Sequence, residues 1–338
     1  MADTFFDNNI DCVESFSLGS PNKQKCGDNS FSGVLNINHE NCILLILADG
    51  VSGAPKDWLA SKTVVESVLE YFSENQFPFE QLMRNAVNNA DKILISGVDG
   101  TTGMLSTLSI LVYRPEIKKV YYANVGDARI YGIKNGIFTV LTNDDTSSEV
   151  VKQNGKLRIV NGVPSFKSHL TKAIGGYQEL DIQVSVTISS EYSAFALVSD
   201  GFYNLFLFQE CVKRIMSSVD VRREIQKIKN DIKEDIDDDA SIAILVLNSA
   251  DDLDVKEIII NKTESNNLSG KVLLKPVMDE LNSAIDSGDN DYLESILNFM
   301  NRNEIVDSKE TMILLLEKMI AKNTDHQEVM KMMIRKVY

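Results

Sequence analysis

Apolar positions follow two rhythms between residues 31 and 142, and each change of rhythm marks an element. "FSGVLNI" (31–37) and "NCILLILAD" (41–49) are β-branched and aliphatic runs bounded by Asn and Gly, which predict strands. "KDWLASKTVVESVLEYFSE" (56–74) sets Trp58, Leu59, Val65, Val68, Leu69 and Phe72 at helical spacing. "FEQLMRNAVNNADKILIS" (79–96) repeats that spacing with Leu82, Met83, Ala86, Val87, Ala90, Ile93 and Leu94. Strand-like runs follow at 105–113, 119–125, 128–133 and 137–142. Gly126-Asp127 and Asn135-Gly136 stand between them as hairpin signals, so this part predicts an antiparallel meander.

The polar, glycine-bearing stretch 143–168 predicts a long loop or flap over the surface. "IQVSVTI" (182–188) and "AFALVS" (194–199) resume the sheets, residues 204–232 are predicted helical, and "ASIAILVLN" (240–248) predicts a final core strand. Beyond residue 250 the composition changes. "SADDLDV" and "NKTESNNLSG" are linker-like, and four short amphipathic helices follow, with Ser308 and Asp325 as N-caps. The expected domains are therefore 1–250 and a linker plus helical module at 251–338.

Charge narrows the classes of partner. The 338 residues carry 49 acidic against 34 basic side chains, a formal net charge of −15. That balance argues against nucleic acid or an anionic membrane surface as the main partner. Cys12, Cys26, Cys42 and Cys211 are far apart, with no CxxC and no Cys/His pairing that suits zinc. The N-terminal "MADTFFDNNIDCVESF" lacks a basic start and an apolar core. No apolar run approaches the ~20 residues that span a bilayer. A reducing cytoplasmic setting is the expectation.

Chemistry enters with the aspartates. Asp49 ("LADG"), Asp144 ("LTNDD"), Asp200 ("VSDG") and Asp238 ("DDDASIAILVL") each sit where an apolar strand meets a loop, and Asp28 precedes the first strand of the 31–49 pair. Any one Asp-Gly is most simply a turn, and "DIDDD" by itself is a solvated charge run. The recurrence of apolar strand and Asp changes the odds. Several converging carboxylates cannot all stay ionised without a cation, and oxygen donors without His or Cys select Mg²⁺ or Mn²⁺. The Gly50 carbonyl, freed by its own lack of a side chain, is a further candidate ligand.

"NKQKCGDNSF", "LADGVSG", "ANVGDARIYGIKNGIFTVLTNDDT", "LTKAIGG", "LVSDGFYNL" and "DDDASIAILVL" occur in this order. Together they resemble the successive motifs of the metal-dependent type 2C protein serine/threonine phosphatases, in a divergent bacterial branch, over about residues 15–248. The resemblance implies an α+β fold, two packed antiparallel β-sheets flanked by helices, with a binuclear site at one edge. It implies Asp49 as the carboxylate bridging two metals with the Gly50 carbonyl on one of them. Asp200 and Asp238 would complete the first metal's ligands, and Asp144 with Asp200 would form a third, weaker site. Lys23 takes the place of a phosphate-binding Arg, as a point charge rather than a fork. Lys23, Asp49 and Asp200 are thus the expected catalytic residues, and Asp28, Asp49, Gly50, Asp144, Asp200 and Asp238 the expected metal ligands. The implied cofactors are two Mg²⁺ or Mn²⁺ ions, with a third ion at the weaker site. The implied substrate is a phosphoprotein, with a cognate Ser/Thr kinase or its targets as partners, and the C-terminal helices are expected to bind a protein.

The chain departs from the family in places. The usual Glu-Asp is Gly27-Asp28, so a second-metal ligand is missing and Asp28 or water would serve; Gly27→Glu is expected to hold activity or tighten metal binding. The usual Asp-His after the meander is Asp144-Asp145, and the Asn-x-Thr after the last ligand is Asp239-Ala240-Ser241. A His two residues after Asp49, proposed as a general acid in some members, is absent: Val51 and Ser52 stand there. His39, His169 and His326 are expected to be surface or structural, and Cys26 a small buried residue. A rival reading is a pseudo-phosphatase serving as a binding platform. The intact set Asp49, Asp200 and Asp238 argues against it. A Mg²⁺-dependent nucleotide hydrolase lacks the glycine-rich phosphate loop it would need.

Overall fold

The computed structural model describes residues 10–97, 103–134, 137–150, 152–153, 156–157, 159–160, 163–164, 166–177, 179–205 and 208–247. The predicted helices beyond residue 250, with Ser308 and Asp325, and the turn residues Asn135-Gly136 lie outside them. In chain order come β1 (Ile10–Leu18), β2 (Asp28–Ile37), β3 (Glu40–Asp49), α1 (Asp57–Glu74) and α2 (Phe79–Ser96). There follow β4 (Leu108–Arg114), β5 (Lys119–Val125), β6 (Arg129–Lys134) and β7 (Ile137–Val140). Next are β8 (Thr146–Val150), β9 (Lys152–Gln153), β10 (Lys156–Leu157), β11 (Ile159–Val160), β12 (Val163–Pro164) and β13 (Phe166–Leu170). The chain then forms β14 (Ser185–Ile188), β15 (Ala194–Val198), α3 (Asp200–Tyr203), α4 (Phe208–Ser217), α5 (Val221–Asp231) and β16 (Ala240–Leu247).

Two five-stranded antiparallel sheets, β1-β16-β15-β6-β7 and β14-β5-β4-β3-β2, form the frame. Their burial explains the unbroken apolar runs. In β3, Cys42, Leu44, Ile46 and Ala48 pack under α1 and α2 with Val64, Val68, Phe72, Leu82, Met83 and Val87. The alternate residues Ile43, Leu45 and Leu47 meet Phe195, Leu197, Ala243 and Leu245 of the other sheet. β16 divides in the same way, with Ile242, Ile244 and Val246 under α4 and α5 against Val212, Ile215, Ile225 and Ile228. A strand buried on both faces reads as continuous hydrophobicity because neither pleat faces water. The layers are helix, sheet, sheet, helix, as expected.

Four local expectations change. β1 was not anticipated; it pairs along its length with β16, from Ile10 opposite Leu247 to Leu18 opposite Ala240. Gly126-Asp127 is no hairpin, because β5 and β6 belong to different sheets and the chain crosses between them there. Gly126 holds φ +105°, and a β-carbon on it would lie 2.6 Å from Thr107 Cγ2, so the crossing needs glycine. The helical stretch 204–232 is broken: α4 ends at Ser217, and Asp220 caps α5 by accepting from the Arg223 N–H. Residues 146–169 fall in a second compact unit and hold three short strand pairs, β8 with β13, β9 with β10 and β11 with β12, instead of an irregular loop.

Candidate metal centre

Strand register brings the first two carboxylates together. Asp28 opens β2, Asp49 closes β3, and the two stand directly opposite each other. Asp28 is 3 % exposed, and neither of its carboxylate oxygens has a hydrogen-bond partner of normal geometry. Ser199, Ser241 and Asp49 are its polar neighbours, and burial pushes its carboxyl up to about 7. Asp49 is raised well above the carboxylate range, first by burial and then by the charges of Asp28 and Asp200, with Asp127 adding to them. Its backbone is pinned: the Asp49 N–H donates to Thr107 Oγ1 at 2.9 Å, and the Asp49 carbonyl accepts from Ser106 Oγ and the Thr107 N–H.

Asp200 begins α3 immediately beyond β15, and burial followed by the Asp238 charge raises its carboxyl too. Both Asp-Gly steps are demanded by neighbouring backbone. A β-carbon on Gly50 would lie 2.1 Å from the Asp57 carbonyl oxygen at the start of α1. One on Gly201 would lie 2.1 Å from the Asp239 carbonyl oxygen. Bare peptide at 50 and 201 is what lets α1 and the start of β16 close onto the aspartates.

Asp144 is engaged by an arginine. Arg129 grips it with two nitrogens, Nε to Oδ1 at 3.0 Å and Nη2 to Oδ2 at 2.7 Å, and lies over the Tyr203 ring. Asp127 also feels Asp200: its carboxyl is pushed up to about 6 by burial and then by the Asp200 charge. The reading of 126–127 as a hairpin hid it, although "YYANVGD" has the same apolar-strand-then-Asp form as Asp49.

Lys23 reaches the site but is already engaged. Its Nζ donates to Asp238 Oδ1 and to Asp239 Oδ2, both at 2.8 Å. The Asp238 side chain is half exposed, whereas that of Asp239 is 3 % exposed. Asp239 also accepts from the Ser20 N–H at 2.8 Å and the Gly27 N–H at 2.7 Å. A β-carbon on Gly27 would lie 2.8 Å from Asp239 Oδ2 and 3.2 Å from Asp57 Oδ2. A side chain at 27 would therefore press first on the Asp239 carboxylate. Cys26 is half-buried, and burial followed by the Asp28 and Asp239 charges pushes its thiol up to about 12. It stays protonated at neutral pH and is no nucleophile.

Among the described residues, no three acidic, imidazole or thiol groups already stand at ligand distance round one point. The donors nevertheless suit a hard divalent cation. They are oxygens only, they raise one another's carboxyls, and the buried Asp28 offers two oxygens that nothing else satisfies. Among the described residues no helix is long and apolar enough to cross a membrane.

A sequence profile of the protein phosphatase 2C family matches residues 21–234. The serine/threonine phosphatase Stp of Listeria monocytogenes is 23 % identical over 186 residues, 52 % of this chain and 73 % of that protein. The crystal structure of serine/threonine phosphatase Stp1 from Staphylococcus aureus superposes with a TM-score of 0.56 at 19 % identity, covering 70 % of this chain and 95 % of that one. The catalytic domain of the serine/threonine phosphatase PstP, in complex with two manganese ions, gives 0.53 at 15 % identity, covering 70 % and 98 %. The motifs, the double sandwich and these likenesses agree: the chain belongs to the protein phosphatase 2C family and is a protein serine/threonine phosphatase.

Proposed function

We propose that the chain hydrolyses phosphoserine and phosphothreonine in proteins with two Mg²⁺ or Mn²⁺ ions held at the rim where Asp28, Asp49, Asp200 and Asp238 meet. The observation that carries this is the Asp28–Asp49 pair: opposed carboxylates, one with no hydrogen-bonding partner, in a setting that penalises their charge. Asp49 would serve both ions and the Gly50 carbonyl one of them, with Asp200 and Asp238 completing the first. When bound, the ions would acidify a water and neutralise the phosphoryl oxygens.

The chain's own groups orient the rest. The hydrogen bonds from Ser106 and Thr107 fix the Asp49 peptide, so the carboxylate is held without motion of β3. Lys23 offers the phosphate a point charge at the open edge, in the role of the expected Arg. For a third ion we favour Asp127 with Asp200, whose charge acts on it, since Arg129 already holds Asp144. Phosphoproteins are the substrates such a family member acts on, and the kinases that make them are its natural opponents. The relatives described above are all named as phosphatases, and none supports the binding-platform alternative.

Hydrolysis of p-nitrophenyl phosphate tests the reading. Turnover should require Mn²⁺ or Mg²⁺, vanish with EDTA and be lost in Asp200→Ala. Turnover that persists without metal would refute it.

A further inference from the structure

Two departures from the family pattern, Lys23 for Arg and Asp239 for Asn, are partners in one ion pair separated by 216 residues in sequence. Asp239 is buried, and its carboxylate is fixed by two backbone N–H groups, from Ser20 and Gly27, before Lys23 is counted. It is therefore a rigid anchor for the ammonium. The same ammonium, on the side of Asp239 nearest solvent, also meets Asp238 Oδ1 at 2.8 Å. Asp238 is one of the groups expected to hold the first divalent ion. A cation already sits on that carboxylate, and it is part of the chain.

We propose that Lys23 is a resident counter-ion for Asp238 that the first divalent cation must displace, and that Asp239 tethers the displaced ammonium at the rim, where it meets the phosphoryl group. This rests on the metal-dependent reading above. An ammonium on Asp238 offsets the charge that a divalent ion would use, and the two cations repel at close range. Loading the ion is thus easier once Nζ releases Asp238 while keeping Asp239. A lysine suits this better than an arginine, since a single charge on a flexible stem can leave one carboxylate and keep another, whereas a planar fork is fixed by both. Metal loading would then be the event that frees the positive charge for substrate.

The pair with Asp238 is partly solvated, so its loss is worth about as much as an exposed ion pair, roughly a fivefold change in affinity. The experiment is a Mn²⁺ titration of the full chain by isothermal calorimetry, which needs no turnover. Lys23→Met should tighten the first Mn²⁺ by roughly fivefold, and Lys23→Arg, which keeps a competing charge, should stay near the original affinity. Lys25→Met removes the same charge two residues on, where the ammonium lies over the Trp58 ring, and should shift affinity by less than about twofold. Lys23→Met leaves Asp239 buried without its cation, so Lys23→Met/Asp239→Asn provides a neutral anchor and should retain the tighter binding. Unchanged or weaker Mn²⁺ binding in both Lys23→Met proteins would overturn the proposal. So would an equal gain in Lys25→Met, which would reduce the effect to bulk charge. If the original chain binds no Mn²⁺ at all, the metal-dependent reading falls, and this proposal with it.

Discussion

Asp28 and Asp49 face each other across β2 and β3, in register, where the edge strand β2 begins and the buried strand β3 ends. Two carboxylates so placed share their protons unless a cation takes them over. The remaining chemistry of the rim follows from that pair.

Protons and metal should compete. Asp28 titrates at about 7 in the folded chain, above its ordinary value of 3.8, so between those limits the folded state binds more protons than the unfolded one. The contribution of this group to stability is full at low pH and is lost as pH rises towards 7; Asp49 shifts in the same direction. Thermal unfolding in EDTA should therefore show destabilisation from this site on going from pH 5 to pH 8. Added Mn²⁺ should raise the midpoint more at pH 8 than at pH 5. An equal rise at both would separate the metal from these carboxyls.

Gly27→Glu should not repair the site. The new β-carbon would press on Asp239 Oδ2, which Lys23 and the Gly27 N–H hold while the Ser20 N–H holds Oδ1, so the chain should lose about 1–3 kcal/mol in denaturant unfolding. Mn²⁺ binding should weaken with it. A stable variant with tighter metal binding would show that Asp239 can move aside.

Asp127 and Asp144 should separate cleanly. Asp127→Asn removes a charge from beside Asp200 and should lower turnover most at limiting metal, with little change in stability. Asp144→Asn breaks the two-nitrogen grip of Arg129 and should cost about 1–3 kcal/mol of stability instead. Steady-state rates across a Mn²⁺ series, beside urea unfolding of the same proteins, distinguish the two patterns.

Gly201→Ala should be severe. Its β-carbon would collide with backbone at the Asp239 carbonyl, not with a flexible side chain, so the start of β16 must shift. A loss of about 2 kcal/mol or more in unfolding and a collapse of Mn²⁺ affinity are expected together. A protein of unchanged affinity would mean that Asp200 and Asp238 tolerate separation.

Much of this was legible in the chain. β3 and β16 announce burial on both faces through unbroken aliphatic runs, and α1 and α2 through their spacing. Asp49, Asp200 and Asp238 are marked by the strands that end or begin beside them. The misses share a physical cause. Gly-Asp looks the same whether a chain turns back on itself or crosses to a second sheet, so Asp127 reads locally as a turn residue. β1 is interrupted by Asp11, Glu14 and Ser15, and its strand character comes from a partner more than 200 residues away. Long-range ion pairs leave no local trace: nothing near Asp144 points to Arg129 as its partner, and nothing near Lys23 points to Asp239.

The lateral union of β1 with β16 also sets a timetable. Ser20, just past β1, donates to Asp239, just before β16, so the first and last segments of the sandwich complete the same corner. A ribosome making this protein releases that corner after every other part of the sandwich. Nascent chains stopped between residues 200 and 237 carry Asp49 and Asp200 but no Asp238, and lack that part of the proposed centre however well their earlier layers fold.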